Sequence, residues 1–169
     1  MKLLVADASS LILLAKTGVL SVLVEAATVL VPSSVHEEVC GPAHVHLYVD
    51  AALVKEMVAE GSLSVLEVSL ERELPVALGR GERDAILLYF QEEADAVLSD
   101  DGRAIRACKL LGVNYIPSPR MVLELHGEGL LSRVRARSAL EKLARFGRYS
   151  PDIISASFER LAAAGRGEL

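Results

Sequence analysis

The chain has 169 residues, 51% of them apolar, with 18 basic and 23 acidic side chains and a formal net charge of −5. Length and apolar share fit one globular domain and exclude a disordered chain, while charges such as Lys16 and Glu25 break every apolar stretch before it reaches the roughly 18 residues of a membrane span. The charge is uneven: residues 102–148 carry ten basic and three acidic side chains, so a negative total does not exclude a polyanionic partner.

In chain order, Lys2–Ala6 is predicted to be a short buried strand. The helical pattern of "SSLILLAKTGVLSVLVEA" follows, split into two pieces near Gly18. "ATVLVP" is a second apolar strand, stopped by Pro32, and "SSVHEEV" begins a helix. In that helix Ser34 and Glu37 have the Ser-x-x-Glu spacing of a capping box, which gives Glu37 a structural task and leaves Glu38 without one. "VDAALVKEMVAEG" has helical spacing, and "LSVLEV" is β-like, an edge strand or hairpin arm. A helix over "GERDAILLYFQEEA" follows Gly79 and Gly81. Then come a strand "DAVLS", a helix "DGRAIRACKLLG" closed by Gly112, and a strand "VNYIP". The remainder is mostly helical, with breaks near Gly127, Gly129 and Gly147.

Short apolar strands alternating with helices predict a three-layer α/β/α sandwich with a mostly parallel central sheet. The expected organisation is one domain, with a core over about residues 1–126 and a helical C-terminal extension over about 127–169. Sites in such sheets form outside the carboxyl ends of the strands, which is where the acids fall. Asp7 directly follows the first strand, and Asp100 and Asp101 follow "AVLS". Each can cap the next helix, but capping uses one acid per helix start and leaves one of the pair over. Glu38 is the spare acid of the second region. Glu82 and Asp84 share a first helical turn; two apart, they cannot share a face. Carboxylates gathered without a cation repel one another, whereas a hard divalent metal stabilises them, and oxygen-only donors suit Mg²⁺ or Mn²⁺. Such a metal activates water against a phosphodiester.

The segments "LLVADASSLILLAK", "VLVPSSVHEEV", "GRGERDAILL" and "AVLSDDGRAIRACKLLGVNYI" together resemble the PIN-domain family of nucleases, in order and interval, over about the first 120 residues. The tail resembles that of a prokaryotic PIN-like subgroup. The resemblance implies a Rossmann-like fold and a metal-dependent endoribonuclease acting on RNA. Asp7, Glu38, Asp84 (with Glu82 as competitor) and one of Asp100 and Asp101 match the family's acids. The Ser/Thr-x-Asp pattern favours Asp101, while Asp100 sits nearer the strand end. Ser9 and Ser99 are expected to contact metal, water or phosphate, and Arg103 and Arg106 to meet substrate phosphates. Many prokaryotic members are toxins held by an antitoxin peptide and are often homodimers. The alternative is a PIN-like module that binds nucleic acid or protein without cleaving.

Other chemistries find little support. No GxSxG or phosphate-loop motif occurs, and "DASS" lacks the second aspartate of a haloacid-dehalogenase-like phosphatase. In "HEEVCGPAHVH", His36, Cys40, His44 and His46 fit no standard zinc spacing. Seven aromatic residues and no Trp make electrostatics, rather than base stacking, the expected basis of binding. Cys40 and Cys108 lie far apart, and too few apolar residues precede Asp7 for a signal peptide. The expectation is a cytoplasmic, disulfide-free protein with no membrane association.

Overall fold

A computed structural model describes residues 1–42 and 49–164. Among the described residues five strands form one sheet: β1 (Lys2–Ala6), β2 (Ala27–Pro32), β3 (Ser64–Leu66), β4 (Ala96–Leu98) and β5 (Tyr115–Ile116). Every pairing is parallel and the spatial order is β3-β2-β1-β4-β5. Nine helices are present among the described residues: α1 (Ala8–Lys16), α2 (Leu20–Ala26), α3 (Ser33–Cys40), α4 (Val49–Ala59), α5 (Arg80–Gln91), α6 (Gly102–Leu111), α7 (Ser118–Gly127), α8 (Arg133–Phe146) and α9 (Pro151–Ala164). This is the α/β sandwich expected from the alternation, and "LSVLEV" supplies an edge strand, not a hairpin arm.

Because successive side chains of a strand point to opposite faces, each apolar run feeds two cores. Leu4, Ala6, Val29, Val31, Ala96 and Leu98 pack with α1–α4 and α7–α9. Val5, Leu30 and Val97 pack with α5 and α6, against Ile86, Leu88, Ala107 and Cys108. The C-terminal helices α8 and α9 bury Leu140, Leu143 and Leu161 in the first of these cores.

Local chemistry sets the element ends. Gly18, at φ 72°, makes the break between α1 and α2, and Gly112, at φ 67°, closes α6 in the left-handed conformation that glycine adopts without strain. No single described helix is long and apolar enough to cross a membrane; α1 and α2, which together would be, are bent by 110°.

The capping box expected at Ser34 does not form. Pro32 is the N-cap of α3, with no side-chain cap, so the helix starts two residues early and Ser34 lies inside it. Glu37 pairs instead with Arg80 at 3.4 Å. The residues His44 and His46 lie outside the described residues.

Candidate active site

The strand order reverses between β1 and β4, the switch point at which an open α/β sheet leaves a crevice at its carboxyl edge. Asp7 leaves β1 there, and its backbone N–H donates to the Leu98 carbonyl at 3.1 Å. Its side chain is 1% exposed. Oδ1 caps α1 by accepting from the Ser10 N–H at 3.0 Å, and also accepts from Ser9 Oγ at 2.6 Å and Ser10 Oγ at 3.2 Å. Oδ2 accepts from Ser99 Oγ. Burial pushes the Asp7 carboxyl up to about 6, even though these donors pull it the other way.

The two predicted serines therefore brace the acid. Ser9 Oγ accepts from the Asp100 N–H at 3.0 Å, and Ser99 Oγ accepts from the Asp101 N–H at 3.2 Å. With their protons given to Asp7, both hydroxyls tie the loop after β4 to the loop after β1.

One cavity of about 650 Å³ opens beside Asp7, and Glu37, Glu38, Glu82 and Asp101 also line it, with Ser9, Ser34 and Arg80. Each acid has a local reason for its place. Glu38 sits one turn into α3, with Oε2 so close to Gly81 that a β-carbon there would lie 2.8 Å from it. Glu82 reaches back to accept from the Gly79 N–H at 3.0 Å, forming the capping contact of α5, and lies 3.9 Å from Arg103. Asp101 caps α6, accepting from the N–H groups of Arg103 and Ala104 at 2.9 Å each.

Two of the expected acids point elsewhere. Asp84 is buried, 3.2 Å from Arg83 and 3.9 Å from Arg80, and is not among the cavity-lining residues. Asp100 accepts from Ser118 N at 2.8 Å, Ser118 Oγ at 2.5 Å and Tyr149 Oη at 2.6 Å. Burial raises its pKa, against the pull of those donors. Arg103 and Arg106 are exposed on α6. The sequence does not single out Ser10, Arg80 or Tyr149, the last of which lies 49 residues from Asp100 with no local signal, and it assigns Glu37 and Ser34 to a capping box instead of the cavity.

The donor set fits a hard divalent cation: carboxylate and hydroxyl oxygens, with no thiol or imidazole among the named lining residues. Among the described residues, no three His, Cys, Asp or Glu side chains already converge as a metal cluster.

The sequence profile of the PIN-domain family matches residues 3–163. The chain belongs to the PIN-domain family. PIN domains are typically nucleases and usually use divalent metal ions. A PilT N-terminus domain protein from the hyperthermophilic archaeon Sulfolobus solfataricus P2 is similar over 70% of this chain and 89% of its own, at 20% identity and a TM-score of 0.46. No curated protein matches the chain.

In this PIN domain the C-terminal helices are fastened to the site loop through Tyr149, whose hydroxyl is held protonated by burial and by the neighbouring Asp100. Tyr149→Phe keeps the ring packing and leaves Asp100 one donor short. The expected cost is about 1.5–3 kcal/mol, the range for a hydrogen bond to a charged group, measured by urea unfolding at neutral pH. A change below about 0.5 kcal/mol would show that the contact is not stabilising.

Proposed function

We propose that this PIN domain is a Mg²⁺- or Mn²⁺-dependent endoribonuclease. The observation that carries the reading is Asp7, a nearly inaccessible carboxylate braced by three serine hydroxyls at the sheet's switch point, on a cavity that four more carboxylates line. No structural need of α1 requires so much: an exposed aspartate caps a helix as well. In the reading, Asp7, Glu38 and Asp101 hold the metal, and the third acidic region adds Glu82 or Asp84. Glu82 lines the cavity already; Asp84 would first have to leave Arg83 and Arg80.

When bound, the metal supplies an activated water and neutralises charge on the phosphodiester. The chain's own residues orient. Ser9 and Ser99 fix the Asp7 carboxylate, and the Asp101 cap fixes the start of α6. Arg103 and Arg106 at that helix start, with the exposed basic side chains of α8, draw RNA by its phosphates, so affinity falls as salt rises.

The test is end-labelled RNA incubated with purified protein in Mn²⁺ and in EDTA. Products are expected only with the metal. Salt-dependent RNA binding with no metal-dependent product from the parent protein would instead establish the non-cleaving binding module. The toxin role implied by the resemblance, with an antitoxin peptide and a homodimer, is tested in a cell. Induced expression should arrest growth, and growth unaffected by abundant active protein would rule out that role.

A further inference from the structure

The cavity has a second wall of different chemistry, made where the amino ends of α3 and α5 meet. Val35 of α3 and Gly81 of α5 are so close that a β-carbon on Gly81 would lie 4.0 Å from the Val35 Cα. Among the described residues no side chain caps the amino end of α3, whereas at α5 the Glu82 carboxylate accepts from the Gly79 N–H. Uncapped first-turn N–H groups and the positive end of a helix dipole favour anions. Alone this says little, since many helices start bare. The second observation is Ser34. It is 6% exposed, it belongs to the cavity wall, and its Oγ has no hydrogen-bond partner among the described residues. A buried hydroxyl without a partner is costly to keep. The start of α3 at Ser33 created this situation by taking Ser34 out of the capping position. The Arg80 guanidinium lines the same wall.

We infer that Ser34, the amino end of α3 and Arg80 form a subsite for a phosphate of the nucleic-acid backbone, adjoining the carboxylates. The inference rests on the nuclease reading, because an anion enters this cavity only when a cation offsets its acids. The donors here are one hydroxyl, the first-turn N–H groups of α3 and a guanidinium, which also pairs with Glu37 at 3.4 Å. That is the complement of a phosphodiester's unesterified oxygens. A serine side chain reorients about one torsion, so its hydroxyl can meet the anion without backbone movement. With a cation on the acids, the cavity would hold the scissile phosphate at the metal and a neighbouring phosphate at Ser34, which sets where the strand lies.

Ser34→Ala separates this from a packing role. Removing an unsatisfied hydroxyl should leave the melting temperature unchanged or raise it by about 2–4 °C. Cleavage of a short single-stranded RNA in Mn²⁺ should show KM raised about 10-fold, with kcat within about 2-fold, as for a contact made equally in ground and transition states. Fluorescence anisotropy of the same RNA in Ca²⁺ should show a matching loss of affinity. Arg80→Gln should lower the slope of log affinity against log salt by about 0.7, the share of one single-strand phosphate contact. If the parent cleaves and Ser34→Ala has parental KM and affinity, the subsite is overturned and the nuclease reading stands. If the parent gives no metal-dependent product, both fall. Weakened inhibition by inorganic phosphate with unchanged RNA affinity would mean a free-phosphate site and also overturn the inference.

Discussion

Asp7→Asn is expected to remove Mn²⁺-dependent RNA cleavage and, in metal-free buffer, to make the protein more stable. The first effect should exceed the roughly 10–100-fold that losing an outer partner of a metal ligand costs, because Asp7 would be a ligand itself. The second follows from its burial. The Asp7 carboxyl is raised from an ordinary 3.8 to about 6, so the folded state holds the proton more tightly than the unfolded state does. Such a group contributes stability that is fully present below about pH 4 and is lost as pH rises through about 6. Two units correspond to about 3 kcal/mol at neutral pH. Asparagine carries no charge to bury and caps a helix as well as aspartate. Urea unfolding of both proteins between pH 4 and 7.5, with EDTA, should therefore give curves that diverge as pH rises, with the variant ahead at the upper end. Adding Mn²⁺ should stabilise the parent and not the variant, since only a ligand that binds the folded state shifts the equilibrium. Full cleavage by Asp7→Asn would remove Asp7 from the site. A parent as stable as the variant at neutral pH would remove the burial argument.

What the sequence showed plainly was the frame. "KLLVA", "ATVLVP" and "AVL" are apolar without alternation because helices cover both faces of the sheet, and the acids after β1 and β4 stand at its carboxyl edge. Capping was legible where the cap is local and polar, as at Asp7 and Asp101. It misled at Ser34, where the cap falls at Pro32, two residues before the serine that matches the motif. It was invisible at α5, where Glu82 reaches back to the N–H of a glycine that has no side chain to announce the pair. Which of Asp100 and Asp101 lines the cavity turns on distance along the chain. Asp101 bonds to residues two and three positions on, while Asp100 is taken by Ser118 and Tyr149. A contact spanning 49 residues leaves no trace in local spacing. Glu82 and Asp84 were rightly expected to diverge, since residues two apart on a helix cannot share a face.

Gly81→Ala tests the place of Glu38 without touching its charge. Gly81 lies in the first turn of α5, where alanine is favoured over glycine by about 0.5–1 kcal/mol. The new β-carbon would meet Glu38 Oε2 at 2.8 Å and Val35 Cγ2 at 3.2 Å. The carboxylate is the far end of a flexible side chain, so it is displaced while α3 gives by a few tenths of an ångström. Overall stability should move by less than about 1 kcal/mol, the propensity gain offsetting the crowding. Cleavage should not survive so well. Displacing a group near the chemistry by about 1 Å costs on the order of 100-fold in rate. Glu38→Gln should lose at least as much, through its charge. If both act on one carboxylate, the double variant is no worse than Glu38→Gln alone, and the two free energies fail to add. Additive losses would mean that Gly81 serves the reaction by another route, such as close approach of RNA to the amino end of α5. Parental activity in Gly81→Ala would mean that the reaction does not depend on where Glu38 now stands, and the acid of the second region would have to be sought in Glu37.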